Sequence, residues 1–246
     1  MITALRTARG VVRSLRTYYG QRPQAAAMDK LYRAFIKPGD IAFDVGAHVG
    51  DRVSSFRRLG ARVIAVEPQP ALALTLNLLY GRDRNVVIER IAAGREPGTI
   101  RLMVNSNNPT ISTASKDFVR AADGASGWEG QTWDRAIDVE VTTLDALIAK
   151  HGTPAFIKID VEGFEAEALA GLSRPVAALS FEFTTIQRKV AQACIERCVA
   201  LGFSRYNAAI GESQELGEWR PAHDISRWLD ALPHAANSGD IYATMA

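Results

Sequence analysis

From Ile41 onward the chain alternates short apolar runs with stretches of helical length, and this rhythm restricts the fold more than any other feature. An apolar run of four to six residues bounded by turns reads as a strand buried on both faces. The helical stretches between such runs supply the crossovers that parallel strands require. Residues 41–45, 63–66, 86–91, 156–159 and 178–183 are the expected central strands. Helices are expected over 52–59, 71–80, 144–150, 165–172 and 187–201, and further strands over 204–208 and 240–245. The predicted class is α/β, a doubly wound and mostly parallel sheet of seven strands.

Two segments depart from the rhythm. Residues 1–37 read as an amino-terminal helical arm on which Arg6, Arg9, Arg13 and Arg16 share one face, with no acidic residue before Asp29. That face is solvated, lies on anionic lipid or holds an acidic partner, and it is the only route to a membrane that the sequence offers. The remainder, 38–246, reads as the main domain, interrupted at about 94–143 by a connection too long for an ordinary strand-to-helix loop. Short strands are expected there at 100–104 and 139–141. Residues 105–133, rich in Asn, Ser, Gly, Trp and Asp, are expected to form a loop with some helix that shelters a substrate.

Composition narrows the function classes. With 246 residues, 47% hydrophobic and 23% charged, the chain is that of a globular protein with one sizeable core. A net charge of +2 without a long basic stripe gives no basis for a nucleic-acid groove. Cys194 and Cys198 are four apart, a helical spacing that fits packed thiols better than a redox or zinc motif. No run approaches bilayer length, and residues 1–20 lack the apolar stretch of a signal peptide, so the cytoplasm is the expected location.

The chemistry concentrates in two motifs. The first is Phe43-Asp44-Val45-Gly46-Ala47-His48-Val49-Gly50, a strand entering a glycine-punctuated turn and then a helix. Glycines permit the tight turn and close backbone approach, and the helix start presents free N–H groups, which together describe a nucleotide-type pocket. Glu67-Pro68, closing the second strand, places an acid where ribose hydroxyls are held, about 20 residues beyond the turn. The spacing is G-x-x-x-G and not the dinucleotide G-x-G-x-x-G. Asp44 would repel a pyrophosphate, whereas the ammonium and sulfonium of S-adenosylmethionine favour a carboxylate there.

The second motif, Phe156-Ile157-Lys158-Ile159-Asp160-Val161-Glu162-Gly163, sets Asp160 and Glu162 at the carboxyl end of the fourth strand, and Glu182 lies at the end of the fifth. In an open α/β sheet ligands sit at these strand ends. Asp160 is the first candidate for a general base toward an acceptor hydroxyl and Glu182 the second, while Lys158 can pair with these acids. His48 is expected to face the backbone or the cofactor instead. Asp160, Glu162 and Glu182 could also supply hard oxygen ligands to Mg²⁺, but a cationic cofactor already accounts for them, and no metal ligand is assigned.

These residues resemble the FkbM family of methyltransferases. The likeness runs through Asp44 to Gly50, Glu67-Pro68, Thr143-Leu144-Asp145 leading into Lys158 to Gly163, and weakly Gly239 to Ala243, and it covers about 38–182. The resemblance implies a class I methyltransferase, Rossmann-like fold, S-adenosylmethionine as methyl donor, and O-methylation of a sugar or secondary metabolite. It places Asp44, Gly46, Ala47, His48, Gly50, Glu67 and Pro68 on the cofactor with Asp160 and Glu162 beside it. The acceptor is then a small molecule or a glycan. The position after the fourth strand reads Asp160-Val161-Glu162-Gly163 and not the Asn/Asp-Pro-Pro-aromatic motif of amine-directed DNA enzymes. An NAD-dependent oxidoreductase and a binding protein without turnover are the alternatives.

Overall fold

The computed structural model describes residues 2–20 and 22–245. Met1 and Gln21 of the expected arm, and Ala246 at the end of the expected main domain, lie outside the described residues. In chain order the elements are α1 (Ile2–Tyr19), α2 (Arg22–Tyr32), β1 (Ile41–Val45), α3 (Asp51–Arg58), β2 (Arg62–Val66), α4 (Pro70–Tyr80), β3 (Val86–Glu89), β4 (Ala92–Ala93) and β5 (Gly98–Val104). There follow α5 (Lys116–Ala122), β6 (Arg135–Thr142), α6 (Leu144–His151), β7 (Phe156–Ile159), α7 (Glu165–Ala170), β8 (Ala178–Thr184), α8 (Arg188–Ala200), β9 (Arg205–Ile210), α9 (Ala222–Ala231) and β10 (Ser238–Thr244).

Seven strands form one sheet in the order β3-β2-β1-β7-β8-β10-β9. All neighbours are parallel except β10, which runs antiparallel to both β8 and β9. The order reverses between β1 and β7, so the crevice beyond their carboxyl ends is where an open α/β sheet receives a ligand. The expected doubly wound sheet of seven strands is thus present. The connection at 94–143 is more regular than its composition indicates. It contributes β5 and β6 to a second sheet of order β4-β6-β5, together with a 3-10 turn at Pro109–Ile111 and the short helix α5.

Alternation along β1, β7 and β8 sends residues to two layers. Phe43, Val45, Ile157, Ile159, Leu179 and Phe181 pack under α6, α7 and α8. The opposite face is covered by α2 and α3, where Ala42, Phe156 and Tyr242 meet Leu31, Tyr32 and Phe56. Phe35 stacks on both Phe156 and Tyr242, with ring centroids 5.1 and 5.6 Å apart. Together with Tyr32 of α2, whose ring also meets Phe156, this stack ties the end of α2 to the face of the sheet that Phe156 shares with Lys158. No helix among the described residues is long and apolar enough to cross a membrane. Cys194 and Cys198 are buried free thiols on α8.

Because Phe156 has no exposed surface and carries ring contacts to Tyr32, Phe35, Phe56 and Tyr242, Phe156→Ala should destabilise the chain by about 3 to 5 kcal/mol. Urea denaturation of the two proteins measures this as a fall in the midpoint. A loss well under 1 kcal/mol would show that the stack does not hold α2 to the sheet.

Candidate active site

The turn after β1 is built for close approach. Gly46 has φ of +88°, and a Cβ placed there would come 1.8 Å from the backbone oxygen of Asp160. The two sequence motifs therefore touch, backbone to backbone, at a contact only glycine allows. Gly46 and Ala47 donate their N–H groups to the Val66 carbonyl, tying the turn to the end of β2. Glu67, 3% exposed, accepts from the backbone N–H of His48 at 2.9 Å and of Gln69 at 2.8 Å. Two backbone bonds leave a carboxylate with lone pairs to spare, so Glu67 can still receive hydroxyls.

The motif after β7 is held by its own helix. Glu165, in the first turn of α7, accepts from the N–H groups of Val161 and Gly163 at 3.0 and 3.1 Å. Glu162 and Gly163 both have positive φ, and Thr113 from the long connection donates its hydroxyl to the Glu162 carbonyl at 2.6 Å. The connection is thereby anchored over the crevice.

Two adjoining cavities result. The first, about 550 Å³, is mainly apolar, walled by Val66, Ile91, Ala92, Leu102 and Phe164, with Gly46, Glu67, Pro68, Asp160 and Glu162 along its edge. The second, about 510 Å³, is polar and lined by Asp44, Ala47, Asp51, Arg52, Lys158, Glu182 and Glu212, with Tyr18 reaching in from α1. Gly46, His48, Thr110, Asp160 and Glu162 border both.

The polar cavity is organised by Lys158, fully buried on β7, whose ammonium lies 2.7 Å from Asp240 and 3.1 Å from Asp160. Burial acts to raise the pKa of Asp160, but Lys158 and Arg52 outweigh it and hold the carboxyl below the usual range. Glu162 and Glu182 move the opposite way. Burial and the neighbouring Asp160 charge push both well up. Carboxylate oxygens of Asp160, Glu162 and Glu182 lie within 4.8 Å of one another, close enough for the three to act as one group or to hold a hard cation.

Asp44, 2% exposed, leaves Oδ2 without a hydrogen-bond partner, and burial followed by the charge of Asp51 pushes its pKa up to about 7. An orphaned buried carboxylate oxygen beside a cavity is what a cationic ligand would satisfy. Burial pushes Glu67 up to about 7 and His48 down to about 4, so the imidazole is neutral. His48 Nε2 lies 3.2 Å from Thr110 Oγ1, and its ring packs edge-on to Tyr18.

Of the sequence-predicted residues, the structure gathers Asp44, Gly46, Ala47, His48, Glu67, Pro68, Asp160, Glu162 and Glu182 around the paired cavities. Gly50 is the exception. Its φ of +85° starts α3, and a Cβ there would meet Leu76 and Tyr80 at 2.7 Å, so it serves the packing of α4 and borders neither cavity. Sequence reasoning missed Tyr18, Arg52, Thr110 and Glu212. Arg52 directly follows the glycine turn, a signal within reach; it binds Asp51 and, at 3.0 Å, Glu212. Glu212, on the loop beyond β9, carries no local signal.

The Methyltransferase FkbM domain model matches residues 44–232, extending well past Glu182. The 31-O-demethyl-FK506 methyltransferase FkbM of Streptomyces tacrolimicus is 29% identical over 159 residues, 56% of this chain and 61% of its own length. The chain thus spans under two thirds of that relative. A TehB-like SAM-dependent methyltransferase from Corynebacterium glutamicum is similar in structure at TM-score 0.46 and 11% identity, over 89% of this chain and 88% of its own. Fibrillarin from Aeropyrum pernix, with natively bound S-adenosyl-L-methionine, is similar at TM-score 0.43 and 12% identity, over 85% and 68%. With a family match over most of its length, the chain belongs to the methyltransferase FkbM domain family.

Proposed function

We propose that this chain methylates a hydroxyl group of a small-molecule or glycan acceptor, with Asp160 receiving the hydroxyl proton. The observation that carries the proposal is the position of Asp160, which borders both cavities and lies 3.1 Å from the Lys158 ammonium; Lys158 and Arg52 favour its ionised form, while Glu162 and Glu182 are pushed the opposite way. An ionised carboxylate at the junction of an apolar and a polar cavity is available to accept the proton of an alcohol aligned there. The Streptomyces relative, named for 31-O-demethyl-FK506, supports an oxygen acceptor.

S-adenosylmethionine, when bound, supplies an electrophilic methyl group on a sulfonium. The residues fit it. The apolar cavity suits an adenine, Glu67 the ribose hydroxyls, and Asp44, with its unsatisfied oxygen, a positive charge. The polar cavity, with Arg52, His48, Thr110 and Tyr18 on its walls, orients the acceptor hydroxyl toward Asp160. Neutral His48 offers a hydrogen bond without competing for the proton. Alignment within this enclosed space does most of the catalytic work.

Untargeted mass spectrometry of cells with and without the protein should reveal a product heavier by one methylene; with that acceptor in hand, Asp160→Asn should lower turnover by about 10² to 10⁴ while cofactor affinity changes much less. Glu182→Gln, measured beside it, should retain more activity. Near-wild-type turnover by Asp160→Asn with loss in Glu182→Gln would transfer the role of base to Glu182, and a chain with no methyl transfer to any acceptor would be a binding protein on the same fold.

The pH dependence follows from Asp44. A cation is held by the ionised carboxylate, and the pKa of about 7 means that this form is lost as pH falls through neutrality. Affinity for S-adenosylmethionine should therefore decline toward tenfold per pH unit below about 7 and level off above it. Calorimetric titration across that range checks the profile, and Asp44→Asn should lower the affinity and reduce the slope to the part contributed by Glu67, which burial also brings to about 7. A wild-type profile that is already flat would remove Asp44 from the cationic end of the site.

A further inference from the structure

We propose that the face formed by α1 and α4 docks on an anionic lipid surface. The four arginines of α1, Arg6, Arg9, Arg13 and Arg16, are all exposed. Arg13 reaches the carbonyl of Asn107, and Arg6 lies near enough to Asp134 to help lower its pKa; Arg9 and Arg16 have no carboxylate partner among the described residues. Neither α1 nor α4 contains an acidic residue.

Beside this charge lies uncovered apolar surface. Leu5 is 54% exposed and Val12 47%; on α4, Leu74 is 54% exposed, Leu78 78% and Leu79 48%. Ala8, Val12, Leu74 and Leu78 line a single groove between the two helices. The buried stripe of α1, with Val11 and Leu15, packs against Val49 and Leu72 and so turns the arginines and Val12 outward. At 100° per residue, Leu5, Val12, Arg9 and Arg16 fall within one outward-facing sector of α1.

Contiguous exposed leucines on a soluble surface mark an interaction site. Cationic side chains flanking leucines on a helix that lies flat on its protein match a headgroup layer with acyl chains beneath it. The leucines distinguish this surface from one made for a phosphate backbone. A second copy of the chain is disfavoured by the same charges, since neither α1 nor α4 offers a carboxylate with which a symmetry mate could answer the arginines. Tyr18, one residue before the end of α1, reaches the polar cavity, so a membrane on α1 would lie beside the acceptor site.

The test is co-sedimentation of the full chain with vesicles of phosphatidylcholine alone and of phosphatidylcholine mixed with phosphatidylglycerol. The chain should pellet with the anionic vesicles, stay in solution with the neutral ones, and be released by high salt. The Arg9→Ala/Arg16→Ala double variant should bind about 30-fold more weakly, roughly fivefold for each arginine near a charged surface. Leu78→Ser should weaken binding to the same vesicles. Both substitutions lie outside the cavities, and an unchanged affinity for S-adenosylmethionine shows that the variants are folded and separates this result from the reading of the site. Equal sedimentation with both vesicle types, none with either, or wild-type binding by the double variant overturns the proposal. A dimer in solution that Leu78→Ser disperses overturns it too, assigning the face to a second copy.

Discussion

The site depends on one buried cation. Lys158 has no exposed surface, yet stands in the middle of the sheet between Asp160 and Asp240. Removing an ammonium from water costs several kcal/mol unless carboxylates compensate it, and two do so here. Burial would depress the Lys158 pKa, but Asp160 and Asp240 reverse that and raise it well above the ordinary value. Through strand pairing Lys158 also sits opposite Asp44 on β1 and Ser180 on β8, so its position sets the row from which the crevice floor is built.

From this pairing follows the distribution of protons. Several acids crowd the same crevice, and like charges so close together cannot all be ionised. Lys158 and Arg52 favour the charge on Asp160, and the neighbours bear the consequence by moving toward neutrality. Such pairs of groups driven apart in pKa are characteristic of acid and base assignments. A cationic ligand entering the crevice would draw some of the neutral acids back to their charged forms, linking cofactor capture to proton release.

Much of this was legible from the sequence, for identifiable reasons. The apolar runs of β1, β7 and β8 are buried on both faces, and such strands announce themselves. The glycine turn and the Asp160-Val161-Glu162-Gly163 turn are local features, so their residues reached the site as expected, Gly50 excepted, because its freedom serves the approach of α4. The polar walls were not legible in the same way. Tyr18 and Glu212 enter from a helix and a loop distant in sequence, and only the packed structure brings them to Arg52 and His48. α9 was missed although Ile225 and Leu229 keep the i, i+4 spacing of a helix's buried face, a signal that was present. In the connection at 94–143 the strands expected at 100–104 and 139–141 are present as β5 and β6, and what the sequence did not show is the longer reach of β6 and their joining with β4 in a second sheet, since both are half exposed and their alternation is diluted by Arg, Asp and Glu.

The central claim is that Asp160 is ionised beside Glu162 and Glu182 held in their neutral forms. Carboxyl-carbon NMR of the wild type, with resonances assigned by Asp160→Asn, Glu162→Gln and Glu182→Gln, tests it directly. At neutral pH in the ligand-free chain, the account predicts an ionised Asp160 beside protonated Glu162 and Glu182. A protonated Asp160, or glutamates that titrate with ordinary exposed carboxylates, would contradict it.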